Sequence, residues 1–183
     1  MWECDDPYRF LPTLGDTDLH LFNEGTHRTL WKHLGAHVRV MDGVEGVSFA
    51  VWAPNARRVS VVGDFCRWDG RLYPMRQMGS SGVFELFVPG VKKGELYRYE
   101  IKTGDGHLRP KSDPFAFACE RLPGTASRVF ASSHVWKDQE WMAGRKAYDP
   151  IHSPVAVYEV HLGSWMRVPE DGNRLLTYRE IAP

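Results

Sequence analysis

Three groups of residues carry side chains that could act on a ligand. The first is the run Gly63-Asp64-Phe65-Cys66-Arg67-Trp68-Asp69-Gly70, in which turn-forming residues surround a tryptophan. An exposed indole offers an apolar face to the C–H face of a pyranose ring, while polar neighbours reach its hydroxyls. Phe65 can anchor this loop inward and leave Trp68 pointing outward; the alternative is that Trp68 plugs the loop against its own domain. The second group is Arg98, set between Tyr97 and Tyr99. Alternation along a strand sends Arg98 to the face opposite the two tyrosines. There it either donates hydrogen bonds to sugar hydroxyls or is an ordinary solvated charge. His107 and Leu108 follow a Gly-Asp-Gly turn and border the same patch in this reading. The third group is Glu159 and His161, two residues apart in an apolar run. At the C-terminal end of a barrel strand, His161 would line a substrate cleft; otherwise both are satisfied polar groups of a barrel interior.

No other constellation stands out. There is no Gly-rich phosphate loop, no metal-ligand spacing and no Ser/His/Asp order, so no catalytic residue, cofactor or metal is expected. Asp64, Asp69, Asp105 and Asp113 all adjoin turn residues, which is the common use of aspartate.

The elements that must position these groups follow from periodicity. Residues 1–34 read as a short helical lead-in. Asp16-Thr17-Asp18 caps a turn into Leu19, Leu21 and Phe22, Gly25 interrupts it, and Leu30, Trp31 and Leu34 form a second short pattern. Residues 35–129 then change to strands. Val47, Phe49 and Val51 alternate with Ser48 and Ala50; Phe84, Leu86 and Val88 face one way while Glu85 faces the other; Tyr97, Tyr99 and Ile101 alternate with charged residues. Short strands at this spacing, separated by Gly, Pro, Asn and Asp, predict an immunoglobulin-like antiparallel β-sandwich, so the fold class is mainly β. Residues 130–154 read as a connector with a short helix near 139–145. Residues 155–162 are apolar on both faces apart from Glu159 and His161, which suits a strand covered on both sides, as in a parallel sheet or a (β/α)8 barrel. The 183-residue chain leaves room after Leu162 for one loop and a short helix. It therefore reads as the front of a larger enzyme, with residues 155–183 the truncated start of its catalytic domain.

Composition narrows the partners. Lys+Arg and Asp+Glu are equal at 23 each, so no net field draws nucleic acid or an acidic membrane. No N-terminal run resembles a signal peptide, no apolar stretch approaches a membrane span, and Cys4, Cys66 and Cys119 form no disulfide framework. A cytoplasmic location is the simple expectation.

The runs VSFAVWAPNARRVSVVGDFCRWDG, GVFELFVPG, ELYRYEI, RPKSDPFAF and VYEVHLGSW, in this order, resemble the bacterial 1,4-α-glucan (glycogen) branching enzymes from about Tyr8 to Pro183. The resemblance implies a glucan-binding sandwich in front of an α-amylase-type barrel. That barrel transfers α-1,4 glucan chains to 6-hydroxyls through a retained glucosyl-enzyme intermediate, using an Asp nucleophile, a Glu acid/base and a second Asp. Those residues would come from later barrel strands, so this chain is expected to be inactive alone and to have α-1,4-glucan (glycogen) and the missing barrel as its partners. By the same resemblance Trp68 matches a loop tryptophan that stacks on glucose, and Arg98 a basic residue on a neighbouring strand. Where related modules place a second stacking tryptophan, this sequence has His107 and Leu108. A self-sufficient glycogen-binding module, or the front of a debranching or trehalohydrolase-type enzyme, are the alternatives.

Overall fold

The computed structural model describes residues 5–182, and the chain divides after Ser133 into two units; Cys4 lies outside the described residues. The first unit is built on the predicted alternation. Strands β1 (Gly35–Met41), β2 (Val44–Trp52), β3 (Ala56–Gly63), β4 (Arg76–Gln77), β5 (Val83–Pro89), β6 (Leu96–Thr103), β7 (Leu108–Lys111), β8 (Ala118–Cys119) and β9 (Ser127–Arg128) form two antiparallel sheets. One has the order β1-β2-β5-β4; the other has the order β3-β6-β9-β8, with β7 added to β6. Val47, Phe49 and Val51 of β2 and Phe84, Leu86 and Val88 of β5 meet Val59, Val61, Tyr97 and Tyr99 of the second sheet in one core. This is the antiparallel β-sandwich the sequence predicts. β1 and β2 are joined by Asp42-Gly43, both with positive φ (49° and 79°), the conformation that a two-residue type I′ hairpin loop requires.

Outer residues of β2 and β5 are buried as well. Ser48, Ala50, Val83, Glu85 and Phe87 are all at most 3% exposed, because the lead-in lies over this face. Helix α1 (Asp16–Glu24) ends at Gly25, whose φ of 81° supplies a left-handed cap. Its Leu19 and Phe22, with Leu30, pack on a small cluster of Leu14, Leu34, Ala50 and Val83. Phe10 meets Phe87 edge-on at 4.6 Å. Polar contacts lock the same seam: Thr13 N–H and hydroxyl donate to Glu85 at 2.6 and 2.5 Å, and Arg76 donates to the Phe10 carbonyl at 2.7 Å. The second helical pattern of the lead-in is only a 3-10 turn, Leu30–Lys32, and Gly35 begins β1.

The second unit holds α2 (Gln139–Gly144), the single turn α3 (Leu162–Trp165), a two-residue ladder of β10 (Arg167–Val168) with β11 (Arg174–Leu175), and α4 (Tyr178–Ile181). The strand expected over residues 155–162 is not formed. Residues 155–161 have no ladder partner, and Leu162 starts a helical turn. A strand exists only by pairing, and no described segment runs beside this one. Val155, Val157 and Tyr158 are 68%, 89% and 74% exposed in consequence. No described helix is long and apolar enough to cross a membrane.

Candidate functional site

β3 and β6 pair so that Val62, Ser60 and Arg58 stand opposite Arg98, Glu100 and Lys102. Tyr97 and Tyr99 point into the core, so Arg98 and Glu100 belong to the outer face of this sheet. The loop after β3 folds across that face. A 3-10 turn, Asp64–Cys66, buries Cys66 and turns Phe65 inward, where its ring lies 6.1 Å from Phe49 and 5.8 Å from Tyr73. Arg67 and Trp68 then both adopt left-handed backbone (φ 54° and 61°), an unfavourable conformation for non-glycine residues. It is held by Trp68 N–H on the Gly63 carbonyl at 2.9 Å. The indole Nε1 also donates to Asp64 at 2.8 Å. Gly70 completes the crossing: its Cα lies against the Glu100 carboxylate of β6, which a larger residue there would push aside.

The result is a fixed indole, 39% exposed, with the Arg98 guanidinium carbon 5.8 Å from its ring centroid. Arg98 is half-buried rather than pointing freely to solvent. Its Nη2 donates to Thr125 Oγ1 at 2.5 Å, across from β6 to the segment entering β9. Beside it Arg58 donates to Glu100 at 3.1 Å. Asp69, at the loop's far corner, is gripped by Arg71 at 2.6 and 2.9 Å, which pulls its carboxyl down to about 2. An apolar ring beside hydrogen-bond donors and acceptors, all held by other contacts, suits reversible recognition of a neutral, polyhydroxylated ligand.

Trp68 and Arg98 are therefore brought together. The other sequence candidates are not. Leu108 pairs with Lys102, four residues beyond Arg98 on β6, which is about 13 Å along the strand. His107 is exposed near Asp105, at 3.9 Å. Glu159 and His161 are exposed in the second unit, with His161 Nδ1 3.0 Å from Ser164 Oγ. One aromatic was missed by the sequence reading. Trp52, at the end of β2, is 54% exposed and stands between a cleft of about 480 Å³ with Phe22 and His27 and one of about 230 Å³ with Asn55 and Thr103. The Pro54-Asn55 break just after it was the available signal, since it puts Trp52 at the very end of its strand.

Residues 33–116, which include Trp68 and Arg98, match the carbohydrate-binding module 48 family, described as the isoamylase N-terminal domain. The chain is 56% identical over 183 residues to the 1,4-alpha-glucan branching enzyme GlgB of Roseobacter denitrificans, an alignment covering 99% of this chain and 25% of that protein. It is 58% identical over 181 residues to GlgB of Rhodococcus jostii, covering 97% and 24%. Among solved structures, a pullulanase from Bacillus acidopullulyticus aligns with a TM-score of 0.44 and 23% identity, covering 54% of this chain and 12% of that one. The chain spans about a quarter of the length of these branching enzymes. Residues 33–116 thus match the carbohydrate-binding module 48 family, within a chain that is similar over nearly its whole length to about a quarter of the GlgB 1,4-alpha-glucan branching enzymes.

Proposed function

We propose that this chain is the glucan-binding front of a 1,4-alpha-glucan branching enzyme, with Trp68 and Arg98 as its sugar contacts. The observation that carries the glucan site is the indole of Trp68, tied through Nε1 to Asp64 and backed by Arg98 on the outer face of a carbohydrate-binding module. The ring is held in place before any ligand arrives, so binding costs little ordering. An α-1,4-glucan would lay a pyranose face on the indole and draw hydrogen bonds from the neighbouring polar groups. Chain transfer to 6-hydroxyls belongs in this reading to residues the GlgB relatives carry beyond the matched quarter, and the first unit holds the polymer near them. We take residues 1–34 as the lead-in, 35–129 as the sandwich, 130–154 as the connector and 155–183 as the start of the barrel. The exposed Val155, Val157 and Tyr158 support the larger-enzyme reading over a free-standing module, because an isolated domain gains nothing from so much unpartnered apolar surface. A cytoplasmic setting, away from membranes and nucleic acid, completes it.

The test is affinity electrophoresis of the chain through gels containing glycogen, comparing wild type with Trp68→Ala. Retardation of the wild type, reduced in the variant while its circular dichroism stays native, supports the site. Wild-type mobility unaffected by glycogen would sink the glucan-binding reading. Equal retardation of both proteins would move the contact away from Trp68.

A further inference from the structure

The lead-in contains a cluster that the glucan site does not use. Asp18, at the third position of α1, lies between two imidazoles supplied by the loop that follows the helix. His27 Nε2 is 3.1 Å from Asp18 Oδ1 and His33 Nε2 is 3.6 Å from the same oxygen. The two rings meet edge-on with centroids 5.5 Å apart. One ligand atom from each of the three residues lies within 4.8 Å of the other two. The His27 side chain is only 5% exposed, and His33 and Asp18 are 21% and 28% exposed. The second carboxyl oxygen of Asp18 already accepts from Gly15 N–H at 3.1 Å, which orients the group and leaves Oδ1 turned toward the imidazoles. His33 Nδ1 is buried with no hydrogen-bond partner among the described residues, so that ring is not oriented by a hydrogen bond at Nδ1.

We propose that Asp18, His27 and His33 form a binding site for a divalent transition-metal ion of the Zn²⁺ type. Metal–ligand bonds of about 2.0–2.1 Å in a tetrahedral site place ligand atoms about 3.3 Å apart. The two carboxylate–imidazole distances bracket that value, so only the imidazole pair has to close. Two nitrogen donors and one carboxylate select Zn²⁺, Co²⁺ or Ni²⁺ over Mg²⁺ and Ca²⁺, which prefer all-oxygen sites. Three protein ligands leave a position for water, and His27 also lines the cleft beside Trp52, so that position is reachable. Thr29 N–H donates to His27 Nδ1 at 3.3 Å, which places the ring proton on Nε2. Ligation through Nε2 moves that proton to Nδ1 and opens the long Thr29 contact, which lowers the affinity. Spacing alone does not reveal the set, because the three residues come together only where the chain doubles back on α1. The bound ion would clamp the start of α1 to the loop leading into β1.

Calorimetric titration of the chain with Zn²⁺, and visible spectroscopy with Co²⁺, provide the test. One equivalent is expected to bind, with d–d bands of a tetrahedral Co²⁺ centre that Zn²⁺ abolishes. A hundredfold excess over Kd should raise the unfolding midpoint by about 5 °C or more. His33 is too far from Asp18 for a good hydrogen bond, so His33→Gln should keep the metal-free midpoint and lose the metal-dependent rise. The chain has eight histidines, so binding that persists unchanged in His33→Gln and His27→Gln is adventitious and overturns the proposal. Absence of stoichiometric binding by the wild type overturns it too.

Discussion

The Tyr97 hydroxyl donates to Asp113 Oδ2 at 2.5 Å inside the sandwich, and Tyr99 reaches the same oxygen at 3.3 Å. The other carboxyl oxygen accepts the Phe115 N–H at 2.8 Å, while Asp113 N–H donates to Ser127 Oγ at 2.8 Å. One buried side chain thus satisfies the two tyrosines of β6 and pins the segment between β7 and β8 to the second sheet. Asp113→Ala takes the acceptor from the buried Tyr97 hydroxyl, leaves Tyr99 only its long contact to the Ala50 carbonyl, frees the Phe115 N–H, and should cost about 3 kcal/mol. Asp113→Asn keeps one acceptor oxygen and should cost about 1 kcal/mol. Urea unfolding of the three proteins measures both, and equal losses in the two variants would show that the site acts by volume instead of hydrogen bonding.

The same residue gives a pH dependence. Burial pushes the Asp113 carboxyl above its ordinary value near 3.8, against the lowering effect of its hydrogen bonds from Tyr97, Phe115 and Tyr99. The folded chain then holds this proton more tightly than the unfolded chain. Stability from Asp113 is full below pH 3.8 and falls as pH rises through the raised folded value. Asp113→Asn has no such loss, so its deficit against wild type should shrink between pH 4 and pH 7. A deficit that grew over this interval, measured by urea midpoints at each pH, would contradict burial as the dominant effect.

Glu85 makes the corresponding anchor on the other sheet. It is 3% exposed and accepts from Thr13 twice and from Leu14 N–H at 3.3 Å. Glu85→Ala should cost about 3 kcal/mol and release the lead-in. Limited proteolysis should then cut within residues 5–34 while β1 to β9 stay resistant. Unchanged cleavage would mean that Phe10 and Leu14 hold the lead-in without the carboxyl group.

Glu85 and Asp113 also mark what the sequence could show. The strand alternation was legible because each strand pairs with its neighbour and the inward residues of β2, β5 and β6 are large and apolar. Alternation correctly set Glu85 opposite Phe84 and Leu86, but it carries no information about what covers that opposite face. The cover is the lead-in, whose helix is too short to announce a core. Asp113 sits beside a proline and reads as a turn residue; its burial depends on two tyrosines 14 and 16 positions earlier. For the candidate site, the GDFCRWDG loop and the outward register of Arg98 were readable. Their contact was not, since it depends on left-handed backbone at Arg67 and Trp68 and on the close approach at Gly70. The unpaired residues 155–161 show the converse: an apolar pattern indicates a strand only when a partner strand is there to receive it.

The Trp68–Arg98 pair makes the last prediction. If the guanidinium orients the ring for sugar, the two residues act as one unit and their effects cannot add. Trp68→Ala should weaken glucan binding about fivefold, corresponding to roughly 1 kcal/mol of stacking. Arg98→Ala should weaken it about threefold, through the lost hydrogen bond to the sugar that is made only while the guanidinium and the ring hold one another. Arg98→Lys should recover little, because an ammonium lacks the planar fork that reaches Thr125 while facing the indole. In the double variant the loss should stay near fivefold, well short of the fifteenfold product. A fully multiplicative loss, read from glycogen-gel mobility across the four proteins, would mean that the two residues contact the glucan independently of one another and that Trp68 needs no support from Arg98.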